Sequence, residues 1–382
     1  MISAESILDV RRPWPEAATL PPSCYHSPEF HALEVEHIFK KKWILVGRSD
    51  EWKEAGACRS FRLFGIPFLI VRDESGTLRA FANSCRHRGA ELIARDCTLS
   101  RIVCPYHSWA YQLDGSLRAA PGMEHTAAFD RSDFGLLPLR LETWHTFVFV
   151  NFDPHCAPLA AQLGNLDEHL APYDFENVVT VGGDEYVVKT NWKAFVENSM
   201  EWLHHMTVHK QSIARKVATI ERQVVIGAPA DYLLVRSQAR GESRAMLESG
   251  GGFPVVSVLT GAAREGSQYV LLYPYAMLGC DVDSIWFKQM IPEGPDTVRL
   301  KATYCFHKET VARADFAEKA PMYYRRFRKV VQEDNAAMEL QFAGLNSPLA
   351  RPGRYAEREI LVHAIDNWVV DHVYPDLARS PA

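Results

Sequence analysis

No stretch of the 382 residues approaches the roughly twenty consecutive apolar residues that a membrane-crossing helix needs. Residues 1–20 carry Asp9, Arg11, Arg12, Pro13, Pro15 and Glu16 and lack the apolar centre of a secretion signal, so a cytoplasmic protein is expected. Net charge is equally scarce. The 42 Lys and Arg against 47 Asp and Glu leave a formal charge of -5, which argues against nucleic acid or an anionic membrane as partner. Eight cysteines scattered over this length do not make a secreted disulfide framework. There is also no glycine-rich fingerprint for a flavin or nicotinamide. What remains is an ordinarily globular chain, 47% hydrophobic, long enough for two domains.

What is present begins with two short clips. Cys85-Arg86-His87 is followed, after a loop of sixteen residues, by Cys104-Pro105-Tyr106-His107. Thiolates and imidazoles in this order suit an Fe–S centre in which two cysteines hold one iron and two histidines the other. Structural zinc is the competing reading, but zinc clips usually pair cysteine with cysteine and histidine with histidine. Each clip here mixes the two types, so each can give one ligand to each iron. Cys24, Cys58, Cys97, Cys156, Cys280 and Cys305 then read as small buried hydrophobes.

Around the clips the chain reads as short strands over 43–47, 58–63, 67–72, 78–83, 102–104, 110–113 and 146–151, separated by turn signals. Before them, Ser27-Pro28-Glu29 reads as a helix start. The expected organisation is an N-terminal extension and helix over 1–41, packed on the catalytic domain, an all-β domain over 42–152, and a second domain over 153–382. In that second domain strands are expected over 178–190, 221–226, 231–237, 268–275, 284–291 and 297–306. Helical runs are expected over 192–209, 315–343 (kinked or restarted at Pro321) and 358–373, and a loop or lid over 241–266. Strands with separate helices give an α+β class, an all-β domain joined to one of antiparallel sheet and helices.

Glu197, Glu201, His204, His205 and His209 crowd one segment whose neighbours are large and apolar: Trp192, Phe195, Val196, Met200, Trp202, Leu203 and Met206. A solvated helix face is the ordinary explanation of such residues. Burial argues against it, because buried charges and imidazoles need partners and a metal supplies one. Two histidines and one carboxylate with open positions make a non-haem iron(II) site. On a straight helix His205 and His209 share a face, whereas His204 and His209 stand about 140° apart and need a distorted or ending helix. A carboxylate from elsewhere must complete the set. Phe327, Val331, Asp334 and Met338 follow a 4-3-4 spacing that puts Asp334 on an apolar stripe, where a lone acid is destabilising unless metal-bound or paired with Arg or Lys. Glu333 reads as a surface residue.

These motifs carry a family resemblance over nearly the whole chain. C-R-H-R-G, then C-P-Y-H-S-W-A-Y with an L-D-G-S-L tail, resembles the Rieske [2Fe–2S] domain of ring-hydroxylating oxygenase large subunits. N-W-K-A-F-V-E-N-S-M-E-W-L-H-H-M-T-V-H resembles their acid-x₂-H-x₄-H segment, and V-V-Q-E-D-N their ligand helix. The resemblance implies Cys85 and Cys104 on one iron of the cluster and His87 and His107 on the other, with Arg88, Gly89 and Trp109 around it. It implies His204, His209 and Asp334 on a mononuclear Fe(II), with His205 as the runner-up. Glu201 is then the acid that links His107 of one subunit to His204 of the next in a head-to-tail homotrimer, and Asn198 is carried as a further catalytic candidate. Glutamate in place of the more frequent aspartate at 201 is similar to a subset that includes amine-acting oxygenases. Leu203 stands where the family has tyrosine, which changes the hydrogen bonding beside His204. The implied activity is hydroxylation or oxidative dealkylation of a small organic substrate, aromatic or amine. It would use O2 and electrons from NAD(P)H through a separate reductase, with or without a ferredoxin. A Rieske electron carrier without oxygenase chemistry is the alternative. Tyr269, Leu271, Tyr273 and Tyr275, alternating on one strand face beside Trp286 and Phe287, read as a pocket wall or as sheet core.

Overall fold

The computed structural model describes residues 4–213, 222–227, 229–238 and 251–378. Two compact units emerge: one over Leu45–Leu159, the other from residues up to Ile44 together with those from Ala160 onward. No helix among the described residues is long and apolar enough to cross a membrane.

The unit over Leu45–Leu159 is all-β. Its seven-stranded sheet runs in the order Ile44–Arg48, Phe147–Asn151, Pro138–Trp144, Leu78–Ala82, Ile66–Arg72, Ala57–Leu63, Cys97–Thr98. A second sheet of three strands, Ile102–Val103, Ala110–Tyr111 and Leu117–Ala119, is antiparallel, with Val103 opposite Ala110. That pairing turns residues 104–109 into a hairpin tip and so projects the second clip from the sheet. The first clip projects from the long loop after Leu78–Ala82. Cys85 and Cys104 both belong to a buried core with Leu69, Phe81, Ile102, Trp109 and Tyr111.

The other unit has a seven-stranded antiparallel sheet in the order Val178–Val188, Val298–His307, Ile285–Pro292, Ala276–Cys280, Gly266–Leu272, Tyr232–Gln238, Arg222–Ile226. Against it lie the helices Trp192–Met200 and Phe316–Leu345. In the longer helix Ala320, Tyr323, Phe327, Val331, Asp334, Met338 and Phe342 form one buried stripe. That helix runs unbroken through Pro321, so it is not restarted there; the proline lies near the start and forfeits one interior hydrogen bond. The expected helix over 192–209 stops instead at Met200, because Glu201 turns to extended backbone (φ −111°, ψ 168°). The strand expected over 268–275 ends at Leu272. Tyr273, Pro274 and Tyr275 make the turn into Ala276–Cys280, a strand the period-two reading passed over. Residues 241–250 of the expected lid lie outside the described residues. Four of the six remaining cysteines are buried, while Cys97 and Cys156 are half-buried.

The N-terminal helix Pro28–Glu34 starts where Ser27 Oγ accepts the Phe30 amide at 3.1 Å. It delivers Glu34 to Lys193 Nζ at 2.5 Å, both side chains fully buried. Beside this pair, Tyr25 donates to Glu197 at 2.9 Å and Tyr355 to Asp366 at 2.5 Å. Burial pushes Asp366 up to about 6, and burial plus the Asp366 charge pushes Glu197 well above the usual carboxylate range. A raised carboxyl contributes stability that is complete below its unfolded value and is lost as pH rises through the folded one. For Asp366 that loss falls between about pH 4 and 6 and is on the order of 3 kcal/mol. Asp366→Asn removes it. The difference in melting temperature, variant minus wild type, is therefore expected to grow more positive from pH 4 to pH 7, as read by thermal melts at fixed ionic strength.

Candidate metal centres

At the first centre both clips share one local geometry. Cys85 N bonds Ala90 O at 2.8 Å and Gly89 N returns to Cys85 O at 2.9 Å; Cys104 N bonds Trp109 O at 2.8 Å and Ser108 N returns to Cys104 O at 3.1 Å. Four residues after each cysteine the backbone is left-handed, at Gly89 (φ 74°) and Ser108 (φ 60°). The His87 and His107 rings face one another with centroids 4.8 Å apart, and His87 stacks on Trp109 at 4.9 Å. The Cys85 and Cys104 thiols are in contact, and burial raises the Cys85 thiol further. His87 Nδ1 is buried without a hydrogen-bond partner. Two thiols in contact and two imidazole rings 4.8 Å apart, one with an orphaned nitrogen, thus lie on neighbouring clips. That donor set fits a Rieske cluster, with its cysteine side in the core and its histidine side beside exposed Tyr106.

At the second centre the end of the helix does the positioning. Glu201 accepts the Leu203 amide and, at 3.3 Å, the His204 amide, and so starts the turn His204–Met206 that carries the chain round to His209. Its other carboxylate oxygen holds His204 Nδ1. His209 Nδ1 is held in the same way by Glu333 Oε2 at 2.8 Å. Both Nε2 atoms are thereby directed at Asp334 Oδ1, at 3.7 Å from His204 and 3.0 Å from His209. Despite these distances Asp334 Oδ1 has no hydrogen bond. The three atoms aim at shared space, as ligands of one cation do, and the donor set fits iron(II). Burial raises Asp334, but the His209 imidazole and the Lys288 ammonium, 3.7 Å from Oδ2, more than offset it and hold the carboxyl below its ordinary range.

The structure thus brings Glu201, His204, His209 and Asp334 together, and Asn198 lines the adjoining cavity. His205 lies close as well, since the ligand atoms of all three histidines fall within 4.8 Å of one another. Its Nδ1 is buried and unpartnered, and burial pushes its imidazole down to about 3. Among the described residues no carboxylate orients it as Glu201 and Glu333 orient the other two, which favours His204 with His209. Glu197 takes no part, being turned to Tyr25. Glu333 corrects the sequence reading. It is not a bland surface residue: its side chain is 13% exposed and orients His209. Helical periodicity puts Glu333 off the apolar stripe, and its partner lies 124 residues away, so no local signal marked it.

The cavity above Asp334 holds about 130 Å³ and is walled by Tyr269, Trp286, Phe287, Tyr304 and Phe327. Trp286 lies flat over Gly279, its cross-strand partner, where an added Cβ would sit 2.1 Å from the indole. Tyr273 and Tyr275 are absent from this wall. The turn at Pro274 carries Tyr273 onto Trp368, at 4.2 Å, and leaves Tyr275 in the core.

Comparison with known proteins agrees with this geometry. Residues 175–374 match the model of the ring hydroxylating alpha subunit (catalytic domain), and residues 42–130 that of the Rieske [2Fe-2S] domain. The glycine betaine monooxygenase oxygenase subunit of Chromohalobacter salexigens is 28% identical, over 95% of this chain and 88% of its own. The chloroplastic choline monooxygenase of Atriplex hortensis is 27% identical, over 90% and 75%. The crystal structure of the quaternary ammonium Rieske monooxygenase CntA shares the fold at a TM-score of 0.81, with 23% identity over 97% of this chain and 98% of that one.

Two outcomes follow from the hydrogen bonds behind the ligands. Tyr111 Oη accepts the Arg86 amide at 3.0 Å, leaving its own proton for Cys85 Sγ at 3.2 Å. Hydrogen bonds to cluster sulfurs favour the reduced state. Tyr111→Phe is expected to lower the cluster's reduction potential by roughly 40 mV per kcal/mol of lost bond, measured by redox titration of its visible spectrum. Glu333→Gln is expected to weaken iron(II) retention about 10–100-fold in competition with a chelator, as loss of a carboxylate behind a metal-bound histidine generally does.

Proposed function

The chain belongs to the Rieske-type ring-hydroxylating oxygenases, as an alpha subunit, and on that footing we propose that it oxidises a small quaternary-ammonium substrate. It is an oxygenase that carries one Rieske [2Fe–2S] cluster and one mononuclear iron, not a bare electron carrier. When bound, the cluster supplies single electrons and the mononuclear iron supplies oxygen activation.

The observation that carries the substrate reading is the cavity over Asp334. Its wall of Tyr269, Trp286, Tyr304 and Phe327 is aromatic, a lining suited to a cation that carries no hydrogen-bond donor, and the protein's own cations already sit over two of these rings, Lys288 over Trp286 at 5.3 Å and Arg326 over Phe327 at 5.4 Å. The named relatives that act on glycine betaine and choline support it. Hydroxylation of a carbon attached to nitrogen leaves an unstable carbinolamine, so N-dealkylation with release of an aldehyde is the expected outcome. Cys85, His87, Cys104 and His107 are the cluster ligands in this reading, and His204, His209 and Asp334 the iron ligands. The electrons come from NAD(P)H through a separate reductase.

Glu201 is assigned the link from His107 of a neighbouring copy to His204. Each end of that link is flanked by exposed apolar side chains, Val103 and Tyr106 beside one histidine, Leu203 and Met206 beside the other. Exposed apolar groups at both ends favour burial against another copy, and repetition of such a head-to-tail contact closes into a ring, here a homotrimer.

His204→Ala and Asp334→Ala are expected to abolish aldehyde release from N-methyl substrates while leaving the cluster's red-brown spectrum intact. Glu201→Gln is expected to retain both metals and still fail in steady turnover. Normal turnover by that variant with full metal content would remove the bridging role from Glu201.

A further inference from the structure

The geometry points to an anion subsite in the same cavity: Arg326 binds an acid group of the substrate, so the substrate is a quaternary-ammonium acid and not an alcohol. This rests on the cavity being the substrate site. Arg326 lies on the helix Phe316–Leu345, eight residues before Asp334, and lines the cavity. Eight residues are about two turns, or ~12 Å of axial rise, so Arg326 and Asp334 share a face at different depths.

Only 7% of Arg326 is exposed, and among the described residues it has neither an ion-pair partner nor a hydrogen-bond acceptor. Its Nε–H is buried and unsatisfied, and its guanidinium carbon lies 5.4 Å from the centre of the Phe327 ring. A guanidinium in that position is strongly destabilising unless an anion meets it. The acids that line the cavity are already engaged. Glu201 holds His204, and Asp334 faces His209 and Lys288. A second orphan belongs to a lining residue: the indole N–H of Trp286 is buried and has no acceptor. Both unsatisfied N–H groups are donors. Water can serve an indole, but only a charged acceptor neutralises a guanidinium, and a carboxylate matches its planar fork. One cavity therefore holds π faces for a cation and a free guanidinium for an anion.

The test is equilibrium binding to the iron-loaded holoprotein by calorimetry, without reductase so that nothing turns over. The probes are matched pairs: trimethylglycine and 4-(trimethylammonio)butanoate against trimethylammonio alcohols of the same chain length, and benzoate against benzyl alcohol. At least one trimethylammonio acid is expected to bind tenfold or more tightly than its alcohol. Arg326→Gln is expected to erase that margin by weakening the acid and not the alcohol, and to raise the melting temperature of the ligand-free protein by relieving an unpaired buried charge. Equal binding of acid and alcohol by the wild type overturns the subsite, as does binding of no acid, or equal weakening of acid and alcohol in the variant. An acid margin confined to benzoate, and erased by Arg326→Gln, keeps the subsite and overturns the quaternary-ammonium reading instead.

Discussion

Two imidazoles held from behind by carboxylates, with a third carboxylate in front, set the terms for the catalytic unit. Glu201 and Glu333 fix the Nδ1 atoms of His204 and His209, so both Nε2 atoms must face Asp334. Asp334 is locked in turn on the buried stripe of its helix, between Val331 and Met338. Without a cation, that arrangement confines acids in a region with little water, a penalty of several kcal/mol per uncompensated ion. With one, the same residues become a preorganised site whose ligands have no freedom left to lose. The chain's path follows from this. The helix Trp192–Met200 has to stop, because a continued helix would carry His204 and His209 about 140° apart. Glu201 serves both ends, terminating the helix through its backbone and seeding the next turn through its carboxylate.

Much of this was legible in the sequence because the signals were local or periodic. The mixed Cys/His clips, the α+β class, the Ser27 cap and the apolar stripe under Asp334 each need only a few neighbouring residues to be read. What escaped reading was long-range. Glu333 is an ordinary exposed-face position until His209 arrives from 124 residues away. The strand Ala276–Cys280 was passed over because Tyr273 and Tyr275 continue an alternation that the chain abandons at Pro274, so two of the three tyrosines on that face lie away from the cavity wall. The helix end at Met200 was likewise invisible to periodicity: the residues from Trp202 to Met206 remain apolar enough to continue it, and only the carboxylate of Glu201 decides otherwise.

The surroundings of the two clips are asymmetric. Cys85 and Cys104 sit in the core with Leu69, Phe81 and Tyr111, whereas the histidine side lies beside Tyr106, which is 59% exposed. With a cluster bound, the cysteine ligands would lie against packed core side chains and the histidine ligands would lie toward the surface. The equivalent left-handed turns at Gly89 and Ser108 keep the two clips in matching conformations, so both histidines are presented on the same side.

Charge in the catalytic cavity then bears on what can enter it. Glu201, Glu333 and Asp334 together outweigh iron(II) by a single negative charge, and Lys288, close to Asp334, offsets that remainder. Two guanidiniums that line the cavity lie outside that balance: Arg222, which sits over the Trp202 ring at 5.1 Å, and Arg326, which has no ion-pair partner among the described residues. A substrate bearing only a cation would add a further positive charge to a buried space of about 130 Å³, where interactions are weakly screened. The π faces of Tyr269, Trp286 and Tyr304 offset part of that, at about 0.5–2 kcal/mol each, but none of them neutralises Arg326. A zwitterion satisfies both demands at once, its ammonium against the rings and its acid against the guanidinium, and it enters with no net charge. The same arrangement discriminates, because only a ligand that brings an acid relieves the unpaired Arg326, and a neutral or purely cationic competitor does not.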